Sequence, residues 1–406
     1  MATHDIKRVG MLFAGGPAPA ANAVISAAAL GFLNAGVEVI GLLDGYAHLE
    51  AFTPDCRLLE GRHYLRLGFN DVSGIRNRKA IVLRTSRANP GKEVKSKADL
   101  ADPSKNAKLV GAYRCLKAMG IDALVSIGGD DTLKTANYLH RLQEVVPDLP
   151  PLAVVHLPKT IDNDYYGIDW TFGFTTAADF AAREIRNLGA DAISTNAWYV
   201  LEIMGRKAGW LTYAAGIAGE ATKMISVEDV DTVFDPVKAA DEVVDLILAR
   251  AADDRHYGIV CVAEGLADRL PDELKPRQVD KHGNVMLGEA QVGKLLAEEI
   301  ERRYAARVGK SFKVRSKQIG YETRCTEPIA FDILLGSQLG VGACRALLEL
   351  GLSGYMVSVE RQLELTYVPF DDLIDPVTMK TRIRFIDRES DFYKLARSLE
   401  YQIRGI

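Results

Sequence analysis

Two consecutive strand-and-loop units between Asp122 and Asp164 constrain this chain more than any other stretch. Ala123-Leu124-Val125-Ser126-Ile127-Gly128-Gly129-Asp130-Asp131-Thr132 predicts a buried β-strand that closes on two glycines and two carboxylates, with a helix over 132–142. Residues 152–157 predict a second strand, followed by Pro158-Lys159-Thr160-Ile161-Asp162-Asn163-Asp164 as an acidic loop. In an open parallel α/β sheet, ligands sit in the crevice at the carboxyl ends of neighbouring strands. The spacing therefore gathers Asp130, Asp131, Asp162, Asp164 and Lys159 into one cleft. That set suits phosphoryl transfer, which needs a phosphate cradle, carboxylates for a metal, a cation for developing charge and a base for the attacking hydroxyl. Glycine lets the backbone approach a phosphate, and a helix N-terminus offers oriented N–H donors. Gly-Gly-Asp alone fits an acidic loop at the rim of an ordinary sheet equally well; the pair of units, with the glycine loop near the start, favours the chemical reading.

The N-terminal region repeats the same logic. Residues 9–14 predict a strand, Gly15-Gly16-Pro17-Ala18-Pro19-Ala20-Ala21-Asn22 a loop, 23–35 a helix and 37–43 the next strand. This β–loop–α–β order fits a parallel sheet with right-handed crossovers. The loop is neither a Walker loop nor a Gly-x-Gly-x-x-Gly fingerprint. Residues 54–110 are turn-rich and basic and read as solvated surface, with one exception. An apolar strand over 80–83 leads towards Ser86-Arg87-Ala88-Asn89-Pro90, where Arg87 can reach a phosphate with a bidentate fork.

Further on, a helix is predicted over 108–119, helical spacing over 172–188 and a strand over 197–203 that ends in Met204-Gly205-Arg206. Helices over 210–221 and 237–251 precede a strand over 258–263 that ends in Glu264-Gly265. Residues 271–284 read as a mobile surface excursion, 288–304 as a helix, and 312–321 as the stretch that holds Arg315 and leads to Gly320-Tyr321-Glu322-Thr323-Arg324. A small-residue-rich helix over 331–351, a strand over 355–359 and a tail with one strand and one helix complete the chain.

Composition removes several function classes. A net charge of −4 over 406 residues leaves no basic footprint for nucleic acid. Cys56, Cys115, Cys261, Cys325 and Cys344 form no Cys-x-x-Cys pair and read as reduced thiols of a cytoplasmic protein. No signal peptide is expected, and no apolar run long enough to span a membrane.

Taken in order, Gly15-Gly16-Pro17-Ala18-Pro19, Gly128-Gly129-Asp130-Asp131, Pro158–Asp164, Met204-Gly205-Arg206 and Gly320-Tyr321-x-x-Arg324 resemble the phosphofructokinase family, in its pyrophosphate-dependent branch. The resemblance runs from about residue 9 to 359. It implies an α/β protein of two Rossmann-like lobes with mainly parallel sheets and an active site in the cleft between them. It also implies a donor lobe over 1–172 completed by 328–359, a sugar-phosphate lobe over 173–327, and a C-terminal extension over 360–406. The implied reaction is reversible transfer of a phosphoryl group from pyrophosphate to the C1 hydroxyl of fructose 6-phosphate, with Mg2+.

Roles follow at the matching positions. Asp162 is expected as the base, with Thr160 beside the hydroxyl; Asp130 and Asp164 as Mg2+ ligands; Gly15, Gly16 and Arg87 as the donor cradle. Met204, Gly205 and Arg206 would line the sugar site, Arg206 also facing transition-state charge, and Glu264 would bond the sugar hydroxyls. Tyr321 and Arg324 would hold the 6-phosphate. Arg315 matches an arginine supplied by a neighbouring subunit, which implies a homo-oligomer, dimer or tetramer, with a shared site.

Two positions set the expected donor. ATP-using relatives carry glycine where this chain has Asp131, and a carboxylate there takes up space and repels a third phosphate. Lys159 replaces a second glycine and brings an ammonium to a two-phosphate donor, although some ATP users share it. Three departures from the family pattern stand out: Ala20 for a glycine in the first loop, Lys79, Ala80 and Arg84 for glycines before Arg87, and Ala197 near a second subunit-crossing arginine. The rival readings are an ATP-dependent 6-phosphofructokinase, a lipid or NAD kinase sharing Gly-Gly-Asp, and a non-catalytic sugar-phosphate-binding subunit. Pro158–Asp164 and Met204-Gly205-Arg206 argue against the second, and intact Asp130, Asp162 and Arg206 against the third.

Overall fold

The computed structural model describes residues 6–53, 57–275 and 287–403. In chain order its strands are β1 (Arg8–Ala14), β2 (Glu38–Leu42), β3 (Tyr64–Leu67), β4 (Ala123–Gly128), β5 (Ala153–Pro158), β6 (Trp198–Ile203), β7 (Lys223–Ile225), β8 (Gly258–Ala263), β9 (Val314–Ile319), β10 (Tyr355–Glu360) and β11 (Glu364–Pro369). They form two sheets, β11-β10-β5-β4-β1-β2-β3 and β7-β8-β6-β9. The chain divides into two compact units. One comprises the chain up to Thr160, Tyr165–Thr175 and Glu327–Ile383; the other comprises Ile161–Asp164, Thr176–Thr326 and the chain from Arg384 onward. Each sheet lies within one unit.

In the first unit only the outermost strands run antiparallel, β3 against β2 and β11 against β10. β4 and β5 are buried at every position, as strands covered on both faces must be, which is why they read as unbroken apolar runs. The steps β1 to β2 and β4 to β5 go opposite ways across the sheet. Right-handed crossovers therefore put helices Ala21–Asn34 and Asp130–Val145 on opposite faces and make the β1–β4 boundary the point where strand order reverses. Helix Ala21–Asn34 packs on helix Ala330–Cys344 at very short range. A Cβ on Gly340 would lie 2.6 Å from the Val24 carbonyl oxygen and 2.8 Å from the Ala28 nitrogen, so this contact is backbone on backbone. Asp102 caps helix Pro103–Ala118 by accepting from the Ser104 N–H, with proline at the first helical position.

The second unit has an all-parallel sheet of four strands. β6 and β8 are wholly buried, whereas β9 is an edge strand exposed at its four middle residues. Asp235 caps helix Pro236–Ala252 in the same Asp-Pro manner. Helix Val292–Val308 stops at Gly309, whose φ of +72° suits a residue without a side chain. Helix Asp391–Leu399, in the tail, packs on helix Trp210–Gly219.

Most expected elements stand where the sequence puts them, within a few residues. The strand expected over 80–83 is a turn instead: the Asn22 side chain takes up the Ala80 carbonyl and the Val82 N–H, leaving no neighbour strand to pair with. β3, β7 and β9 are additional. The excursion expected over 271–284 lies for the most part outside the described residues, as does Cys56. The expectation that no run could span a membrane also needs correction. The helical stretch Ala330–Glu349 is long and apolar enough by length and composition, but half of it is buried and it packs on helix Ala21–Asn34 as a core element.

Candidate active site

Each unit carries its own set of candidate site residues at the carboxyl ends of its parallel strands. In the first unit, the register Ala14↔Gly128↔Pro158 ends β1, β4 and β5 in one row. The loops that leave this row begin with Gly15, Gly129 and Lys159. Gly15 has φ +90° and needs to be glycine. Its N–H donates to the Ser86 carbonyl at 2.8 Å and its own carbonyl accepts from Thr85 Oγ1 at 2.7 Å. Those two bonds hold the segment before Arg87 against the glycine loop. Arg87 itself is exposed.

Lys159 is buried to 6% exposure. Its ammonium lies 3.6 Å from the point where Gly15 would carry a Cβ and 4.0 Å from the corresponding point on Gly129. One cation thus stands beside both glycine loops, with the Phe13 ring centroid at 6.0 Å. The structure brings Gly15, Gly129 and Lys159 together as the sequence predicts. Thr160 follows, its carbonyl accepting from Thr171 Oγ1 at 2.8 Å.

Helix Asp130–Val145 starts at the row, and no side chain caps its N-terminus. Asp130 Oδ1 accepts the Asp131 N–H at 2.9 Å. The Asp131 carboxylate is more than half exposed and ion-paired with Lys134 at 2.5 Å. Arg84, a residue with φ +55°, pairs with Asp44 at 2.8 Å, so its charge is already compensated. Ala20 adopts φ +64° at the head of helix Ala21–Asn34, a conformation in which a glycine would be relaxed.

A buried polar chain that the sequence reading missed underlies this row. Tyr165 OH donates to the Gly128 carbonyl at 3.0 Å and meets His156 Nε2 at 3.1 Å. His156 Nδ1 lies 3.4 Å from Ser126 Oγ. Burial, and then the Lys159 charge, push the imidazole down to about 3, so it is neutral. The signal was present in sequence as a Ser and a His inside apolar strands.

In the second unit, Ile203↔Ala263 and Ile203↔Ile319 align the ends of β6, β8 and β9. From this row leave Met204-Gly205-Arg206, Glu264-Gly265 and Gly320-Tyr321. The Arg206 N–H donates to Asp162 Oδ2 at 3.3 Å. Gly205 has φ +143°. A Cβ on Gly265 would lie 2.5 Å from the Arg206 carbonyl oxygen, so the glycine lets the two loops touch. Glu264 is pushed up to about 7, first by burial and then by the charges of Asp162 and Glu202, against the pull of the Gly205 N–H and Arg324. Asp162, Gly205, Arg206, Glu264 and Arg324 are thereby gathered.

Tyr321 is 71% exposed, and its ring lies 5.2 Å from the Arg324 guanidinium carbon. The Thr323 N–H and hydroxyl both bond the Gly320 carbonyl and fix this short turn. Arg315 stands apart from these residues, on exposed β9, donating to Asp191, Thr195 and Tyr199 at 3.1 Å each. Glu202, also unforeseen, is a buried acid inside β6 whose oxygens accept from the Gly293 N–H and Gln318.

Mg2+ fits this donor set in a limited way. Among the described residues no group of three or more His, Cys, Asp or Glu could hold a metal. Mg2+ commonly uses one or two carboxylates and completes its shell with substrate phosphates and water, and Asp130 at the head of an uncapped helix suits that part.

Comparison with known proteins puts these features in a lineage. A pyrophosphate–fructose 6-phosphate 1-phosphotransferase of Thermotoga maritima is 37% identical over 98% of this chain and 91% of its own length. An ATP-dependent 6-phosphofructokinase of Chloroflexus aggregans is 33% identical over 97% of this chain and 96% of its own. The crystal structure of a pyrophosphate-dependent phosphofructokinase from Nitrosospira multiformis shares the fold, with a TM-score of 0.71 at 17% identity over 98% of this chain and 92% of that one. The family model described as phosphofructokinase matches residues 8–347, and the chain belongs to the phosphofructokinase family.

Proposed function

We infer that this protein transfers a phosphoryl group from pyrophosphate to the C1 hydroxyl of fructose 6-phosphate, giving fructose 1,6-bisphosphate and phosphate. The observation that carries the donor assignment is Asp131, whose carboxylate stands in the first turn of helix Asp130–Val145 where ATP-using relatives carry glycine; the Lys159 ammonium beside both Gly15 and Gly129 is a secondary support. A nucleotide chain would have to pass a cradle whose second glycine is replaced by this cation and whose helix opens with Asp130-Asp131. Pyrophosphate needs neither a base pocket nor room for a third phosphate. The names of the Thermotoga maritima and Naegleria fowleri relatives, 37% and 34% identical, support the same donor. The ATP reading keeps one specific support: Asp131 is ion-paired with Lys134, which softens its repulsion of a further phosphate.

In this reading Gly15, Gly16, Arg87 and the N-terminus of helix Asp130–Val145 hold pyrophosphate, and Lys159 neutralises charge as the bridging bond breaks. Asp162 takes the proton from the sugar hydroxyl, with Thr160 beside it. The run Pro158–Asp164 thus carries the donor-side cation and the base three residues apart in sequence. Arg206 stabilises transition-state charge, while Met204, Gly205 and Glu264 line the sugar and Tyr321 and Arg324 take the 6-phosphate. Asp130 and Asp164 would hold Mg2+, which would supply positive charge to the phosphates. We place the protein in the cytoplasm as a homo-oligomer in which Arg315 serves a neighbouring subunit's site.

A phosphoanhydride donor close in free energy to the product ester makes the reaction reversible. Fructose 1,6-bisphosphate and inorganic phosphate, followed by phosphorus NMR, should yield pyrophosphate and fructose 6-phosphate. Absence of pyrophosphate under conditions where the forward reaction runs would contradict the assignment.

A further inference from the structure

We propose that Arg384, in the C-terminal extension, is a positioning residue that holds the turn carrying Asp162. The proposal rests on the reading of Asp162 as the base. Its geometric ground is a strap laid along that turn. Tyr165 and Ile383 form an antiparallel bridge, and the next residue, Arg384, donates its N–H to the Asp164 carbonyl at 2.9 Å. Arg384 Nη2 donates to the Asn163 carbonyl, also at 2.9 Å. One residue therefore holds both main-chain carbonyls that follow Asp162.

Asn163 is fully buried and has φ +53°, a left-handed conformation that asparagine tolerates better than other side-chain residues, so its carbonyl is turned to a fixed direction where Arg384 receives it. Arg384 is itself fixed from the other side. Its guanidinium carbon lies 4.6 Å from the centre of the Trp210 ring, and Trp210 Nε1 donates back to the Arg384 carbonyl at 2.9 Å. Trp210 opens the helix that follows Met204-Gly205-Arg206, the loop whose Arg206 N–H reaches Asp162. The extension thereby ties the segment that bears the base to the segment that bears the transition-state arginine.

Beyond Arg384 the extension makes further contacts within the same unit. The Ile386 N–H donates to Glu228, the carboxylate that also receives the Gly209 N–H. Phe392 packs on Trp210 with ring centroids 5.1 Å apart, and Tyr393 OH donates to Asp229 at 2.7 Å. Lysine at 384 would keep the charge but lose the planar stack on Trp210 together with the donor to Asn163.

The test compares wild type, Arg384→Ala, Arg384→Lys, Asp162→Asn, the Asp162→Asn/Arg384→Ala double variant and Tyr393→Phe. Turnover number, both KM values and melting temperature are measured for each. Arg384→Ala should lose about tenfold or more in kcat, because small displacements of a reacting group are costly, with both KM values within about threefold of wild type. Arg384→Lys should fall between the two, and it carries the test if the alanine variant does not fold. Guanidinium ion added to Arg384→Ala should restore part of its turnover and do nothing for Asp162→Asn. The double variant should be no slower than Asp162→Asn, since a residue acting through Asp162 has nothing left to position. Tyr393→Phe should lower the melting temperature and leave kcat near wild type. Wild-type turnover in Arg384→Ala with loss in Asp162→Asn overturns the positioning role alone. An equal kcat loss in Tyr393→Phe also overturns it, because the extension would then be acting as scaffold. Near-wild-type turnover in Asp162→Asn overturns the base assignment and, with it, this proposal.

Discussion

Predictions for single side chains begin with Asp162, the proposed base. Asp162→Asn keeps the bond-accepting oxygen near Arg206 but loses the proton acceptor, so kcat should fall by about 10²–10⁴-fold with little change in stability. Retention of more than about a tenth of wild-type kcat would remove Asp162 from that role. At the donor side, Asp131→Gly frees volume at the head of helix Asp130–Val145 and breaks the pair with Lys134. Calorimetric titration with ATP should show tighter binding in this variant, with a smaller gain in turnover because Lys159 stays in the cradle; unchanged ATP binding would show that Asp131 does not guard the donor. Glu264 makes a prediction in pH. Its folded value of about 7 lies above the ordinary 4.5, so folding takes up a proton between those values and stability falls as pH rises through that window. The loss is on the order of a few kcal/mol at most. His156, held down to about 3 from 6.5, acts in the opposite sense as pH rises through its own range. Subtracting Glu264→Gln from wild type isolates the acid: going from pH 5 to pH 8, the urea midpoint of wild type should fall relative to that of the variant, and an identical change in the two would contradict the origin given for the shift. The candidate site residues were named from motif spacing, which needs no long-range partner. Glu202, His156, Tyr165 and Arg384 were not, because what matters about them is a partner distant in sequence: Gly293, Gly128 and Asn163 among others.

Among elements, the parallel strands were readable as apolar runs because strands covered on both faces have no polar alternation to blur. β3 escaped because it is an edge strand with a half-buried, arginine-containing sequence, and β7 because three residues carry no pattern. The segment over 80–83 misled for a related reason: its apolar residues pack while its backbone bonds go to the Asn22 side chain. Asp-Pro at 102–103 and 235–236 caps two helices, a signal that periodicity alone passed over in starting the first at 108. What no pattern revealed is how closely helices Ala21–Asn34 and Ala330–Cys344 approach. A methyl at Gly340 meets backbone atoms at 2.6 and 2.8 Å, whereas one at Gly336 meets first a Val24 methyl at 3.0 Å. Gly340→Ala should therefore cost more than Gly336→Ala, about 1–3 kcal/mol as overpacking usually does. Urea denaturation of the two variants gives the comparison, and equal losses would mean the helix pair can slide apart freely.

At the scale of the whole molecule, the chain passes between its units at Thr160–Ile161, Asp164–Tyr165, Thr175–Thr176, Thr326–Glu327 and Ile383–Arg384. The motif run Pro158–Asp164 is itself divided by this boundary, so Lys159 and Asp162 belong to different compact bodies. The C-terminal tail contributes to both, which composition alone gave no reason to expect. Assembly adds a further level. If Arg315 serves a neighbouring subunit, an Arg315→Ala protein and an Asp162→Asn protein, dissociated and reassembled together, should recover activity that neither has alone; verified hybrids without recovery would confine Arg315 to its local bonds with Asp191, Thr195 and Tyr199. The most direct test of the account as a whole is a pair of initial rates for fructose 1,6-bisphosphate formation from fructose 6-phosphate, one with pyrophosphate and one with ATP, both with Mg2+. Asp131 at the head of helix Asp130–Val145, with Lys159 beside both glycine loops, predicts a kcat/KM for pyrophosphate at least about a hundredfold above that for ATP, a discrimination of roughly 2.7 kcal/mol. Equal values, or a preference for ATP, would contradict it.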